Sequence, residues 1–256
     1  MIDIPTWDAL ANKLRTCGLD IFATATVSIT HKGFADEKVL ALALLARTLS
    51  NLKGTLSLLR DRQIVEARTI TRCCFENAYW VVGLAEEGEA FVRRMRDDEM
   101  SRRRHRGQFM FDTDVELPPD VEERLRNYLR GVNKSFANAK TLNPQQVAAL
   151  SDIGRSYVFY GQLSADAAHP SMTSLNRYIV PHSADEVGGI DVNPAVKDAE
   201  IENTLELLCL AVMSVLVAVN QMLGGTPGGG ILNTLADEYM KLSNASAARA
   251  VEPASP

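Results

Sequence analysis

Residues 64–84, IVEARTITRCCFENAYWVVGL, most restrict how this chain can fold. Read as a helix turning about 100° per residue, the run is apolar nearly all round yet carries charge within its apolar surface. Arg68, Arg72 and Glu76 stand at i, i+4 and i+8 and share a stripe with Phe75 and Tyr79. Ile70, Cys74, Ala78 and Val81 fill the opposite side. A helix with so little wet surface belongs at the centre of a bundle, and its charges then need partners inside. The spacing predicts a buried polar cluster on a central helix.

The rest of the chain supplies further helices. Pro5 to about Thr30 reads as one, interrupted near Gly18 and weakened by the β-branched run 24–30. Asp36 caps a strong helix over Glu37–Arg60, in which Gly54 marks a close helix contact. After the central helix come Glu89–Met110, then a run opened by Pro118 and Pro119 that ends near Lys140. Phe91, Met95, Phe109 and Met110 define the inward side of Glu89–Met110. A short turn begins at Asn143, and Ser151–Ala168 is helical until His169 and Pro170 stop it. Tyr178–Val180 and Ile190–Val192 are short apolar runs that predict a small hairpin. Pro194–Leu223 and Ile231–Leu242 close the chain, with GGTPGGG between them as a linker. The architecture expected is all-α, an up-and-down bundle of about seven or eight helices with one small β-hairpin. Residues 1–243 form a single domain, and 244–256, rich in Ala, Ser and Pro, a disordered tail.

Composition narrows the classes of function. Apolar residues make up 46%, ample for a core. The net charge of -5, from 27 basic and 32 acidic residues, excludes whole-surface attraction to nucleic acid or anionic membrane and leaves only a local patch for such a partner. Cys17, Cys73, Cys74 and Cys209 show no C-x-x-C spacing and read as reduced core fillers of a cytoplasmic protein. The first residues lack the basic-then-apolar pattern of a signal peptide. The apolar run 207–219 falls short of the roughly 20 residues a bilayer needs, so no membrane partner is expected. No H-E-x-x-H, P-loop or G-x-S-x-G pattern occurs, and neither metal nor cofactor is expected.

Three constellations carry chemistry. Arg68, Arg72 and Glu76, if buried, either fix helix register or bind a ligand. Around the helix end at GQLSADAAHPS, residues 161–171, Ser164, Asp166 and His169 follow Tyr160; His169 is either a general base or anchor, or a cap on its own helix. Seven arginines, Arg93, Arg94, Arg96, Arg102, Arg103, Arg104 and Arg106, crowd one helix with Asp97, Asp98 and Glu99 among them. Without interleaved aromatics, that helix reads as solvated or intersubunit rather than as a phosphate-binding face, and it predicts a homo-oligomer.

The segments LLARTLSNLKGTLSLLRDRQIVEARTITRCCFENAYWV and YGQLSADAAHPSMTSLNRY resemble the bacterial family called domain of unknown function 5677. Its Arg-x-x-x-Glu step and later Ser and His-Pro-Ser region match Arg72 with Glu76, and Ser164 with His169 and Ser171. The resemblance covers about residues 40–178, and implies an all-helical fold with no established activity. A looser similarity is to the HEPN superfamily, helical bundles that include metal-independent ribonucleases with an Arg-x4-6-His motif. Only Arg177 to His182 fits that spacing, and Pro181 with the apolar residues between puts it on a strand or loop, so catalysis is not carried onto these residues.

The leading functional expectation is a binding module for a small anionic or phosphate-bearing ligand, with Arg68, Arg72, Glu76, Tyr160, Ser164 and His169 lining the site. One alternative is a metal-independent ribonuclease in which His169 moves a proton, Arg68 or Arg72 stabilises the phosphodiester transition state and the arginine-rich helix holds RNA. The other is a purely structural, oligomerising protein.

Overall fold

The computed structural model describes residues 3–113, 116–168, 170–182 and 187–251. The helices start where capping side chains are available. Asp3 accepts from Thr6 N at 3.2 Å to open α1, Ile4–Thr24, and Asp36 accepts from Lys38 N at 2.9 Å to open α2, Glu37–Arg60. Then follow α3, Ile64–Glu87; α4, Glu89–Asp112; α5, Pro119–Ser135; α6, Pro144–Ala148; α7, Tyr157–Leu163; and α8, Met172–Asn176. The last two are α9, Asp198–Met222, and α10, Leu232–Val251. The hairpin pairs β1, Ile179–Val180, antiparallel with β2, Gly189–Ile190, placing Ile179 opposite Ile190. The protein is all-α with one small β-hairpin, and the described residues form ten helices because three short ones, α6, α7 and α8, punctuate the middle of the chain.

The core lies among α1, α2, α3 and α9, with Trp7, Leu45, Phe75, Tyr79 and Leu208 fully or almost fully buried. α3 is central as its sequence implies, but α9 shares that place and packs on α1, α2, α3 and α10. By length and composition alone α2 and α9 are long and apolar enough to cross a membrane; here the most apolar window of α9 is 61% buried against other helices, and that of α2 39%.

Several expectations are corrected. Gly18 does not interrupt α1: it sits inside the helix, where a Cβ would lie 2.6 Å from Leu49 Cδ2 and 3.0 Å from Leu216 Cδ2, so its missing side chain lets three helices close up. No close helix approach requires Gly54: a Cβ there would meet Ile70 Cδ1 of α3 at 3.8 Å, an ordinary van der Waals distance. α1 stops at Thr24 rather than Thr30, because the β-branched run that follows is mostly exposed, with Ile29 78% accessible, and has no core to offset its poor propensity. GGTPGGG is a packed turn rather than a linker: a Cβ on Gly228 would lie 2.3 Å from the Asp20 carbonyl carbon of α1, and Asn220 Oδ1 holds Thr226 N at 2.8 Å. α10 continues to Val251, beyond the expected end at Leu242, held by Arg249 donating to Glu202 at 2.6 Å.

α4 keeps only its first turns on the core. Phe91 is buried, but Phe109 and Met110, expected to face inward, are 67% and 40% exposed. The outer half of α4 instead packs on α5, with Gly107 against Leu129.

Candidate functional site

α3 presents Arg68 and Arg72 one turn apart, and the chain that follows α7 is shaped to meet them. Residues Ser164–Ala168 adopt a π-helical turn, whose wider backbone differs from the α7 helix it extends. Arg72 Nε donates to Ser164 Oγ at 2.7 Å, and its Nη2 donates to the Tyr160 hydroxyl at 2.5 Å and lies 3.1 Å from Glu76 Oε1. The Tyr160 hydroxyl in turn donates to Glu76 Oε1 at 2.8 Å, and the Arg72 guanidinium rests 4.6 Å from the centre of the Tyr160 ring. Tyr157 stacks on Tyr160, their ring centres 5.2 Å apart.

Two residues further along the same turn, Asp166 accepts from Arg68 Nη1. Arg68 Nε donates to Thr204 of α9 at 3.2 Å, and Arg177, which follows α8, donates to Glu200 of α9 at 3.0 Å while standing 3.6 Å from Asp166. The π turn therefore bridges two half-clusters, one with Ser164 at its centre and one with Asp166.

The sequence places these charges deep inside the bundle, and the structure corrects the depth. The side chains of Arg68, Arg72, Glu76, Asp166, Arg177 and Glu200 retain between 14% and 31% of their exposure, so the cluster walls a groove. Three guanidiniums face three carboxylates, and the cluster is neutral. Burial, then the bond to the Glu76 carboxylate, pushes the Tyr160 phenol up to about 12. For Glu200, burial acts upward, but the Lys197 backbone N–H and the Arg177 and Arg68 guanidiniums outweigh it and hold the carboxyl below its ordinary value.

Of the predicted site residues, Arg68, Arg72, Glu76, Tyr160 and Ser164 come together in these two half-clusters, whereas His169 lies outside the described residues. Sequence reasoning missed Thr204 and Glu200, which stand over a hundred positions from Arg68 and look like ordinary α9 residues. It named Asp166 only as a neighbour of His169. Arg177 turns into the cluster, while His182 is exposed beyond β1. A cavity of about 300 Å³ adjoins Arg68 and Asp166, walled by Gln162, Leu163, Asn203 and Leu207. Among the described residues no His, Cys, Asp and Glu group is arranged to hold a metal ion.

The arginine-rich helix satisfies most of its charge within the chain. Arg94, Arg102 and Arg103 pair with Glu87, Asp98 and Glu99. Arg104 donates to the carbonyls of Phe136, Ala137 and Ala139 at 3.3–3.4 Å, beyond the end of α5, and Arg96 lies over the Phe136 ring.

Fold and cluster together define a class: an all-α bundle whose central helix carries a charge-balanced polar cluster tied to a π turn. The profile described as Family of unknown function (DUF5677) matches residues 38–187, more than half of the chain, and the protein belongs to that family. The matched span contains both half-clusters' contributions from α3 and the π turn, but not Glu200 and Thr204 of α9. No curated protein and no solved structure matches the chain.

Proposed function

We propose that this protein is a binding module for a small anionic ligand, one that offers a carboxylate or phosphate to Arg68 and Arg72. The observation that carries the reading is that each guanidinium keeps one terminal nitrogen, Nη2 of Arg68 and Nη1 of Arg72, hydrogen-bonded to no described residue while the others are pinned. Forks held in place before the ligand arrives lower the ordering entropy that binding loses. The cavity beside Arg68 lies at the small end of the usual range for ligand sites, roughly 300 to 1,000 Å³, and suits a compact molecule.

Because Glu76, Asp166 and Glu200 already balance the arginines, the ligand adds an acceptor rather than neutralising a positive patch, and its binding weakens as salt rises. Calorimetric titration of inorganic phosphate and of citrate tests the reading. A saturable heat that disappears in Arg68→Gln supports it; no heat from either anion with the native chain overturns it.

The same charge balance favours a second reading, in which the cluster only locks the register of α3 against α7 and α9. Joint replacement of Arg72 and Glu76 by leucine then leaves both fold and cellular phenotype intact. The ribonuclease alternative draws less support, since several of the arginines intended to hold RNA have partners already, Arg102 and Arg103 within α4 and Arg104 at the carbonyls just beyond α5.

A further inference from the structure

The cavity beside Arg68 has two charged residues in its wall, Arg68 from α3 and Asp166 from the π turn, one of each sign. The two are paired with each other, Arg68 Nη1 donating to Asp166 Oδ2, yet neither is used up. Arg68 Nη2 has no acceptor among the described residues. An ionised carboxylate offers about four acceptor sites. Asp166 Oδ1 receives no hydrogen bond among the described residues and stands 3.6 Å from Arg177 Nη2. A free donor and a free acceptor therefore sit on one ion pair, whose side chains keep 14% and 18% of their exposure.

That pairing selects among charged ligands. A bare anion uses Arg68 alone and meets the like charge of Asp166 at close range, so it binds weakly; a bare cation meets the converse at Arg68. A molecule carrying both charges satisfies both groups and leaves the three guanidiniums and three carboxylates of the cluster in balance. The rest of the wall is uncharged. Leu163 and Leu207, 2% and 4% exposed, form an apolar floor, and the exposed carboxamides of Gln162 and Asn203 have no partner among the described residues.

We propose that the anionic group received here is the carboxylate of a short-chain α-amino acid, with its ammonium group donating to Asp166 Oδ1 while Arg68 Nη2 donates to the carboxylate. The assignment rests on the anion-binding reading and narrows it to a zwitterion. In an α-amino acid one carbon joins the two charged groups, so a single small molecule reaches both members of a contacting ion pair. A cavity of about 300 Å³ limits the side chain to a few atoms, which the leucines and the two carboxamides then meet.

Calorimetric titration of the full chain with L-alanine and with propionate, which is alanine without its ammonium group, tests this on the native protein. Alanine is expected to bind at least about tenfold more tightly, a difference of ~1.4 kcal/mol. Asp166→Asn should remove that preference, and Arg68→Gln the binding of both compounds. Propionate binding as tightly as alanine overturns the amino-acid assignment and leaves the anion reading standing. No saturable heat from alanine, propionate or inorganic phosphate overturns both. A preference for alanine that persists in a folded Asp166→Asn chain overturns the place given to the ammonium group.

Discussion

Arg72 Nε donates to Ser164 Oγ at 2.7 Å, and through that bond the central helix fixes the first residue of the π turn. Ser164 also donates to the Tyr160 carbonyl at 2.8 Å, so its hydroxyl serves both backbone and guanidinium. Ser164→Ala leaves a part-buried Arg72 N–H without an acceptor and should lower stability by about 1–3 kcal/mol in urea denaturation. Ser164→Thr should retain most of it.

Arg72 and Glu76 act as a unit with Tyr160. Either single alanine variant should cost about 2 kcal/mol, below the value for fully buried pairs because both side chains keep some solvent. The double variant should lose less than the two singles added together, and a double-mutant cycle by chemical denaturation reads the coupling.

Alkaline pH should unfold the protein through its tyrosines. The Tyr160 phenol stands at about 12, as does Tyr79, where burial is the main cause, against 10.0 for a free phenol. A folded value above the unfolded one gives stability that is complete below pH 10.0 and is lost as pH rises through the folded value. Tyr160→Phe should flatten the stability curve across that window. At the acid end Glu200, held below its ordinary value, contributes stability that is present above that ordinary value and is lost as pH falls through the folded one.

Two glycines give opposite outcomes. Gly18→Ala drives a methyl against Leu49 and should destabilise by about 1–3 kcal/mol. Gly54→Ala has room and should stabilise α2 by up to about 1 kcal/mol. Thermal melts of both variants check the pair.

The fold class was legible because helix periodicity is local, and so was the hairpin, from two apolar runs separated by turn residues. Arg68, Arg72 and Glu76 could be linked because their spacing alone puts them on one face. Glu200, Thr204 and Arg177 could not, since only the packing of α9 and the loop after α8 brings them near Arg68. The exposed outer half of α4 was misread for a related reason. Its wheel resembles a core helix at both ends, but the surface it covers is α5 and not the bundle.

The account rests on guanidiniums held by the π turn and α9 with one nitrogen each left for an anion. Side-chain NMR of the Arg68 and Arg72 Nε–Hε groups during titration with inorganic phosphate tests it most directly. Slowly exchanging, resolved signals that shift saturably together, while Arg93 and Arg106 stay still, are the predicted result. Rapid exchange with water at both arginines, or resolved signals that phosphate does not move, would contradict it.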